Sequence, residues 1–241
     1  MPKTIIAFDM YGTLLSTDSI AKQLDTHFGA QASSISTLWR RYQLEYTWRL
    51  NSMNKYENFY TVTRNSLQQA LNEHGQQLPD KDIHAIMEAY NRLYTFPDVS
   101  SALNRIANDS TLHAVIFSNG TRDMISNSVM HSPDLSQHAS VFQDLITVDD
   151  VRTYKPAPAS YQHCARMVGK QPSQMNEIWL ISCNAWDIVG ARSAGLEAIW
   201  IDRTGTGWQD AAIPELRPTA IVHSLEQVVK EIKEHQGSIS H

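Results

Sequence analysis

Four short apolar segments, rich in branched residues, each stop at a polar cluster: Ile5 to Phe8 before Asp9, Val115 to Phe117 before Ser118-Asn119-Gly120, Ile178 to Ile181 before Ser182, and Ala198 to Ile201 before Asp202. A strand that is apolar along its whole length is buried on both faces, the pattern of a parallel sheet covered by helices. Helical spacing fills the gaps. Val99, Leu103 and Ile106 precede the second segment, Tyr161, Ala165 and Val168 precede the third, and Val189 to Ala194 follow it. This alternation predicts an α/β fold with a doubly wound parallel sheet. Ligands of such sheets sit beyond the carboxyl ends of the strands, so Asp9, Ser118, Ser182 and Asp187 are expected at one site despite their separation in sequence.

Residues 16–95 break the rhythm. They hold no convincing strand but three stretches with helical periodicity, at about 35–53, 59–73 and 80–93, carried by Leu38, Tyr42 and Tyr46, then Val62, Leu67 and Leu71, then Ile83, Met87 and Tyr90. The expected organisation is a core domain of residues 1–15 and 96–241, with a helical cap of residues 16–95 inserted after the first strand and meeting the core over Asp9. A chain of 241 residues with 42% hydrophobic content is long enough for one sizeable core plus such a satellite. Gly237 to His241 reads as a loose tail.

Composition removes several classes of function. A net charge of -5 with scattered Lys and Arg gives no electrostatic footprint for nucleic acid or an anionic membrane. No apolar run approaches the roughly 18 residues of a spanning helix, and no signal-peptide pattern precedes the first strand. The two cysteines, Cys164 and Cys183, form no C-x-x-C pair, which fits a reducing cytoplasm. The ten histidines show no metal-binding spacing, and no P-loop or dinucleotide glycine pattern is present. No cofactor is expected.

A carboxylate at the end of a buried strand, followed by a Gly-Thr turn, has the makings of a nucleophile: Asp9 in Phe8-Asp9-Met10-Tyr11-Gly12-Thr13-Leu14 could attack an electrophilic carbon or phosphorus and form an ester. A helix N-cap or turn acid is the competing role. Further segments extend the pattern: Leu38-Trp39-Arg40, Leu44-Glu45-Tyr46-Thr47-Trp48, Ser118-Asn119-Gly120, Tyr154-Lys155-Pro156, and Ser182-Cys183-Asn184-Ala185-Trp186-Asp187 followed by Gly190-Ala191-Arg192. In this order, over nearly the whole chain, they resemble the haloacid dehalogenase superfamily and specifically its L-2-haloacid dehalogenase branch.

The resemblance also says which electrophile to expect. Phosphatases of the superfamily carry an Asp two residues after the nucleophile and a pair of acids near the position of Asp187 that completes a magnesium site. This chain has Tyr11 at the first position, and Ser182 and Asn184 leave Asp187 as the only carboxylate of its segment. Magnesium prefers a hard oxygen shell, so a metal-free site is expected. Halide leaves without a proton and needs polar hydrogens and positive charge around it instead. By resemblance, Arg40 and Asn119 cradle the departing halide, with Arg41 the less fitting candidate. Ser118 and adjacent backbone amides receive the substrate carboxylate, and Asn184 and Asp187 position the water that cleaves the ester. Lys155 offsets the charge of Asp9 and Asp187, keeping the nucleophile ionised. Thr13, Tyr161 and Ser182 complete the catalytic set, while Tyr11, Leu44, Phe59 and Trp186 line the substrate's alkyl part. Each has a plainer alternative in helix capping, solvent exposure or core packing. Cys183 reads as an inert neighbour.

The implied activity is hydrolysis of short L-2-haloacids to D-2-hydroxy acids through an aspartyl ester, with 2-haloacid, water and halide as the small-molecule partners and a homodimer as the assembly. A magnesium-dependent phosphatase and a catalytically silent binding protein of the same fold are the alternatives.

Overall fold

The computed structural model describes residues 3–239. Its strands are β1 (Thr4–Phe8), β2 (Leu112–Ser118), β3 (Phe142–Thr147), β4 (Ile178–Ser182), β5 (Glu197–Ile201) and β6 (Ala220–Val222), joined in one parallel sheet in the order β3-β2-β1-β4-β5-β6. β1 lies at the centre, with Phe8 beside Ile116 on one side and Ile181 on the other. Ile6, Ala7 and Phe8 are wholly buried, as are Val115 to Phe117 and Leu180 to Ile181, because helices cover both faces. The chain runs from β1 outward to β2 and β3, then crosses back to β4 on the other side of β1. That reversal opens a crevice at the carboxyl ends of β1 and β4.

Around the sheet lie α5 (Val99–Ala107), α6 (Arg122–His131), α7 (Pro158–Met167), α8 (Ala185–Ser193) and α9 (Val228–Ile239). Between β1 and α5 come α1 (Asp18–Phe28), α2 (Ala32–Ser52), α3 (Phe59–Glu73) and α4 (Asp80–Tyr90). The bounds of α3 match the apolar period; α4 stops at Tyr90, short of Leu93. Polar bonds lock these helices together inside their apolar contacts: the Trp39 indole donates to the Thr63 carbonyl at 2.7 Å, and the Gln43 amide donates to Thr63 Oγ1 at 2.8 Å and to Tyr90 OH at 3.2 Å. The chain leaves and re-enters the sheet layer at adjacent points, where Ser16 N–H donates to the Tyr94 carbonyl at 2.8 Å and Phe96 N–H to the Leu14 carbonyl at 3.1 Å. A second tie joins the far end of α2 to the loop before α7. Asn51 donates from Nδ2 to the Tyr154 carbonyl at 2.7 Å and accepts the Tyr154 N–H at 3.0 Å.

Four elements differ from the sequence expectation. β3 and β6 are edge strands, paired on one side only: the polar Gln143 and Asp144 interrupt β3, and β6 is only three residues long with Ile221 exposed. α1 buries Ile20 and Leu24, a narrow stripe amid polar residues, and Gly29 ends it. α9 continues through Gly237 to Ile239, where a loose tail is expected; Ser240 and His241 lie outside the described residues. Among the described residues no helix is long and apolar enough to cross a membrane.

Candidate active site

Asp9 follows the last residue of β1, and its own N–H still donates to the Ile181 carbonyl at 3.0 Å, so the ladder fixes its backbone. The chain then doubles back: Leu14 and Leu15 N–H both donate to the Met10 carbonyl at 3.0 Å, and Gly12 adopts φ +86°, a conformation that costs other residues strain. The turn returns Thr13 to Asp9, where its hydroxyl donates to Oδ2 at 2.8 Å. The loop after β4 adds two more donors to the same oxygen, Asn184 Nδ2 at 2.8 Å and Ser182 Oγ at 3.4 Å. Ser182 Oγ in turn accepts the Asn184 N–H, and Thr13 Oγ1 accepts the Cys183 N–H, both at 3.0 Å. Two loops from separate strands therefore converge on Oδ2 of a carboxylate that is only 5% exposed.

The other oxygen faces a cation. Lys155, wholly buried, places Nζ 3.2 Å from Asp9 Oδ1, 2.7 Å from Asp187 Oδ2 and 3.0 Å from the Phe117 carbonyl, and 4.6 Å from the centre of the Phe117 ring. Burial disfavours the ammonium, but the charges of Asp187 and Asp9 outweigh it and hold its pKa above the usual lysine value. Asp187 is buried behind it and accepts the Tyr161 hydroxyl on Oδ1 at 2.7 Å. Burial, reinforced by the charge of Asp9, raises the Asp187 pKa despite Lys155. Burial and then the neighbouring Asp187 charge keep Tyr161 protonated as a donor.

Helix α8 approaches Tyr161 so closely that only glycine fits at 190. A Cβ there would lie 2.4 Å from Tyr161 OH and 2.6 Å from Pro156 Cβ, separations no real methyl tolerates. Gly190 thus sets the packing that brings Asp187 to Tyr161 and Lys155.

Of the residues singled out from sequence, Asp9, Thr13, Lys155, Tyr161, Ser182, Asn184 and Asp187 form one hydrogen-bonded network. Asn119 joins through its Oδ1, which accepts the Lys155 N–H at 2.9 Å, and Tyr11 through its carbonyl, which accepts from Asn184 Nδ2 at 3.3 Å. Ser118 Oγ accepts the Gly120 N–H at 3.1 Å. Arg40, half-buried on α2, donates from Nη1 to Gln43 Oε1 at 2.6 Å. Leu44 sits one turn further along the same helix. The Tyr11 ring stacks on Phe59 at 6.0 Å and meets Tyr90 at 5.1 Å, while its hydroxyl and Ser128 Oγ are buried without hydrogen-bond partners. Trp186 meets Trp48 of α2 edge to face at 6.2 Å. Gln43 and Tyr90 were legible only as helix positions; the bonds of Gln43 to Thr63 and Tyr90 depend on how α2, α3 and α4 pack. Cys183 is half-buried, and burial pushes its thiol up to about 11.

The donor set does not suit magnesium. Among the described residues no group of three or more His, Cys, Asp and Glu side chains could hold a metal ion, and the Lys155 ammonium occupies the space between the two carboxylates. What remains is a buried carboxylate, held at one oxygen by neutral donors and at the other by a cation. Such a group can act as a nucleophile toward an anionic substrate.

Residues 3–195 match the family model of the haloacid dehalogenase-like hydrolases. The chain is 35% identical to a (S)-2-haloacid dehalogenase of Pseudomonas sp. (strain YL), over 93% of this chain and 92% of that one. It is 33% identical to haloacetate dehalogenase H-2 of Moraxella sp. (strain B), over 91% and 96% respectively. Its fold superposes with a TM-score of 0.84 on the L-2-haloacid dehalogenase of Xanthobacter autotrophicus with chloropropionic acid covalently bound, at 26% identity, covering 96% of this chain and 98% of that one.

Proposed function

The chain belongs to the haloacid dehalogenase-like hydrolases, and within them to the 2-haloacid dehalogenases; from that premise we propose that it hydrolyses short L-2-haloacids to D-2-hydroxy acids without a metal, through an ester on Asp9. The observation that carries the reading is the asymmetric holding of Asp9. Thr13, Ser182 and Asn184 fix Oδ2, leaving Oδ1, which meets only Lys155 among these side chains, to attack C2. The C–halogen bond breaks as the Asp9 O–C2 bond forms, and displacement inverts C2. Oδ2 then becomes the carbonyl oxygen of the ester, and the same three donors stabilise the oxyanion when water attacks it. Asp187, with its raised pKa, accepts the water's proton through lone pairs that Lys155 and Tyr161 leave free. Collapse breaks the bond between Asp9 Cγ and the substrate oxygen, which takes back the proton held by Asp187 as the hydroxy acid leaves, and the remaining water proton passes from Asp9 to solvent.

Charge decides the role of the helical insert. With Asp9 and Asp187 ionised and one ammonium between them, the site carries a net negative charge, unfavourable for an incoming carboxylate and a departing halide. Arg40 supplies the missing cation, and Asn119 and Ser118 the neutral donors. Residues 16–95 accordingly act as a cap that closes over Asp9, with Tyr11, Leu44, Phe59 and Trp186 around the alkyl group. The free thiols of Cys164 and Cys183 support a cytoplasmic enzyme, and a homodimer is the proposed assembly.

A halide-release assay on both hands of 2-chloropropionate, with and without EDTA, tests the reading. Chloride is expected from the L form alone at a rate unaffected by chelator. Absence of halide release, or magnesium-dependent phosphate release from a phosphomonoester, would overturn it.

A further inference from the structure

Arg203, the second residue after β5, touches no side-chain group assigned a chemical step, yet its guanidinium reaches both loops that hold Asp9. Nη2 donates to the Thr13 carbonyl at 3.0 Å and Nη1 to Cys183 Sγ at 2.9 Å. On its other side Nε and Nη2 fork onto the Asp98 carboxylate at 2.9 to 3.2 Å, and the cation lies 4.0 Å from the centre of the Phe96 ring. Asp98 is anchored in turn by the Leu225 N–H at 2.8 Å. Phe96 and Asp98 belong to the segment by which the chain returns from the helical insert, and Phe96 N–H pairs with the carbonyl of Leu14, next to Thr13. The pair is largely buried, at 18% and 15% side-chain exposure, so it is not a solvent-screened surface bridge.

We propose that Arg203 is a positioning residue for the Asp9 nucleophile, acting through the junction of Thr13 and Cys183 and linking that junction to the segment that returns from the insert. This deepens the dehalogenase reading and rests on it. The Thr13 hydroxyl orients Asp9 Oδ2, and the Cys183 N–H orients the Thr13 hydroxyl; Arg203 clamps the outer side of both residues. Three acceptors in different directions, a carboxylate, a carbonyl and a thiol, suit a planar guanidinium with five donors and not a point-like ammonium. Lysine therefore keeps the charge but loses the clamp.

The test uses the full chain, with ester formation on Asp9 followed by rapid quench and mass measurement in a single turnover of L-2-chloropropionate. Arg203→Lys is expected to slow ester formation at least about tenfold, as small misplacements of reacting groups do, with KM changed less than about twofold. Adding Arg203→Lys to Thr13→Val is expected to slow that variant less than about twofold further, because both act on one unit. Asp98→Asn, which spares the bonds to Thr13 and Cys183, is expected to lower the melting temperature while ester formation stays within about twofold of the original. Equal rates for Arg203→Lys and the original enzyme, full multiplication of the Thr13 and Arg203 losses, or a rate loss in Asp98→Asn matching that of Arg203→Lys would each overturn the proposal. An original enzyme that forms no ester would instead overturn the dehalogenase reading beneath it.

Discussion

An Asp9→Ala variant is expected to release no halide above background, a loss of roughly 10⁴-fold or more in kcat, the scale seen when the nucleophile of a concerted unit is removed. The size follows from what remains. Thr13, Ser182, Asn184 and Lys155 all act on the substrate by way of Asp9, so without it their donors have nothing to orient. The fold should survive, because Lys155 keeps its 2.7 Å contact with Asp187, and losing Asp9 relieves the repulsion that raises the Asp187 pKa. The diagnostic combination is a folded, cooperatively melting protein with no chloride release; a rate near that of the original enzyme would exclude Asp9 as the nucleophile.

Lys155→Met is expected to harm stability as well as rate. It removes the single cation from a pocket that holds two carboxylates and leaves their charges uncompensated, a change that costs about 3 to 5 kcal/mol when a buried pair is broken. For a chain of this length the melting temperature should drop by roughly 10 °C. Halide release should fall by roughly 10³-fold, because the cation that holds Asp9 Oδ1 in place is lost. The pH dependence carries the sign. The pKa of Lys155 is raised in the fold above the usual 10.5, so its contribution is fully present below about pH 10.5 and is lost as pH rises through the folded value. The pKa of Asp187 is also raised, which makes its ionised form a burden on the fold, relieved as pH falls through that value toward the usual 3.8. The stability gap between Lys155→Met and the original enzyme should therefore be widest near neutral pH and narrow at both ends, as denaturant melts across pH would measure. A gap independent of pH would mean that Lys155 is not the counter-ion of these acids.

Central strands and insert helices were readable in the sequence because burial imposes a pattern on them. Ile5 to Phe8 could be nothing but an inner strand, and Val62, Leu67 and Leu71 recur at the spacing of the helix they form. β3 escaped because Gln143 and Asp144 break its apolar run, β6 because it is only three residues long, and α1 because so few apolar residues mark its buried face. The network around Asp9 was legible for a related reason. Its members sit in short segments at the ends of parallel strands, where topology forces them together. Arg203 and the packing role of Gly190 were not, since both depend on neighbours remote in sequence, as do the bonds of Gln43 to Thr63 and Tyr90. Gly190 counts only because Tyr161 and Pro156 press against it, and Arg203 only because β5 brings it beneath Thr13 and Cys183.

The covalent route through Asp9 is tested most directly by a single turnover of L-2-chloropropionate in ¹⁸O-labelled water with enzyme in excess. The 2-hydroxyl oxygen of the lactate formed should be unlabelled, having come from Asp9, and the peptide containing Asp9 should gain one solvent oxygen. Label in the hydroxyl group of the first-turnover product would contradict the account, because water would then have attacked C2 itself.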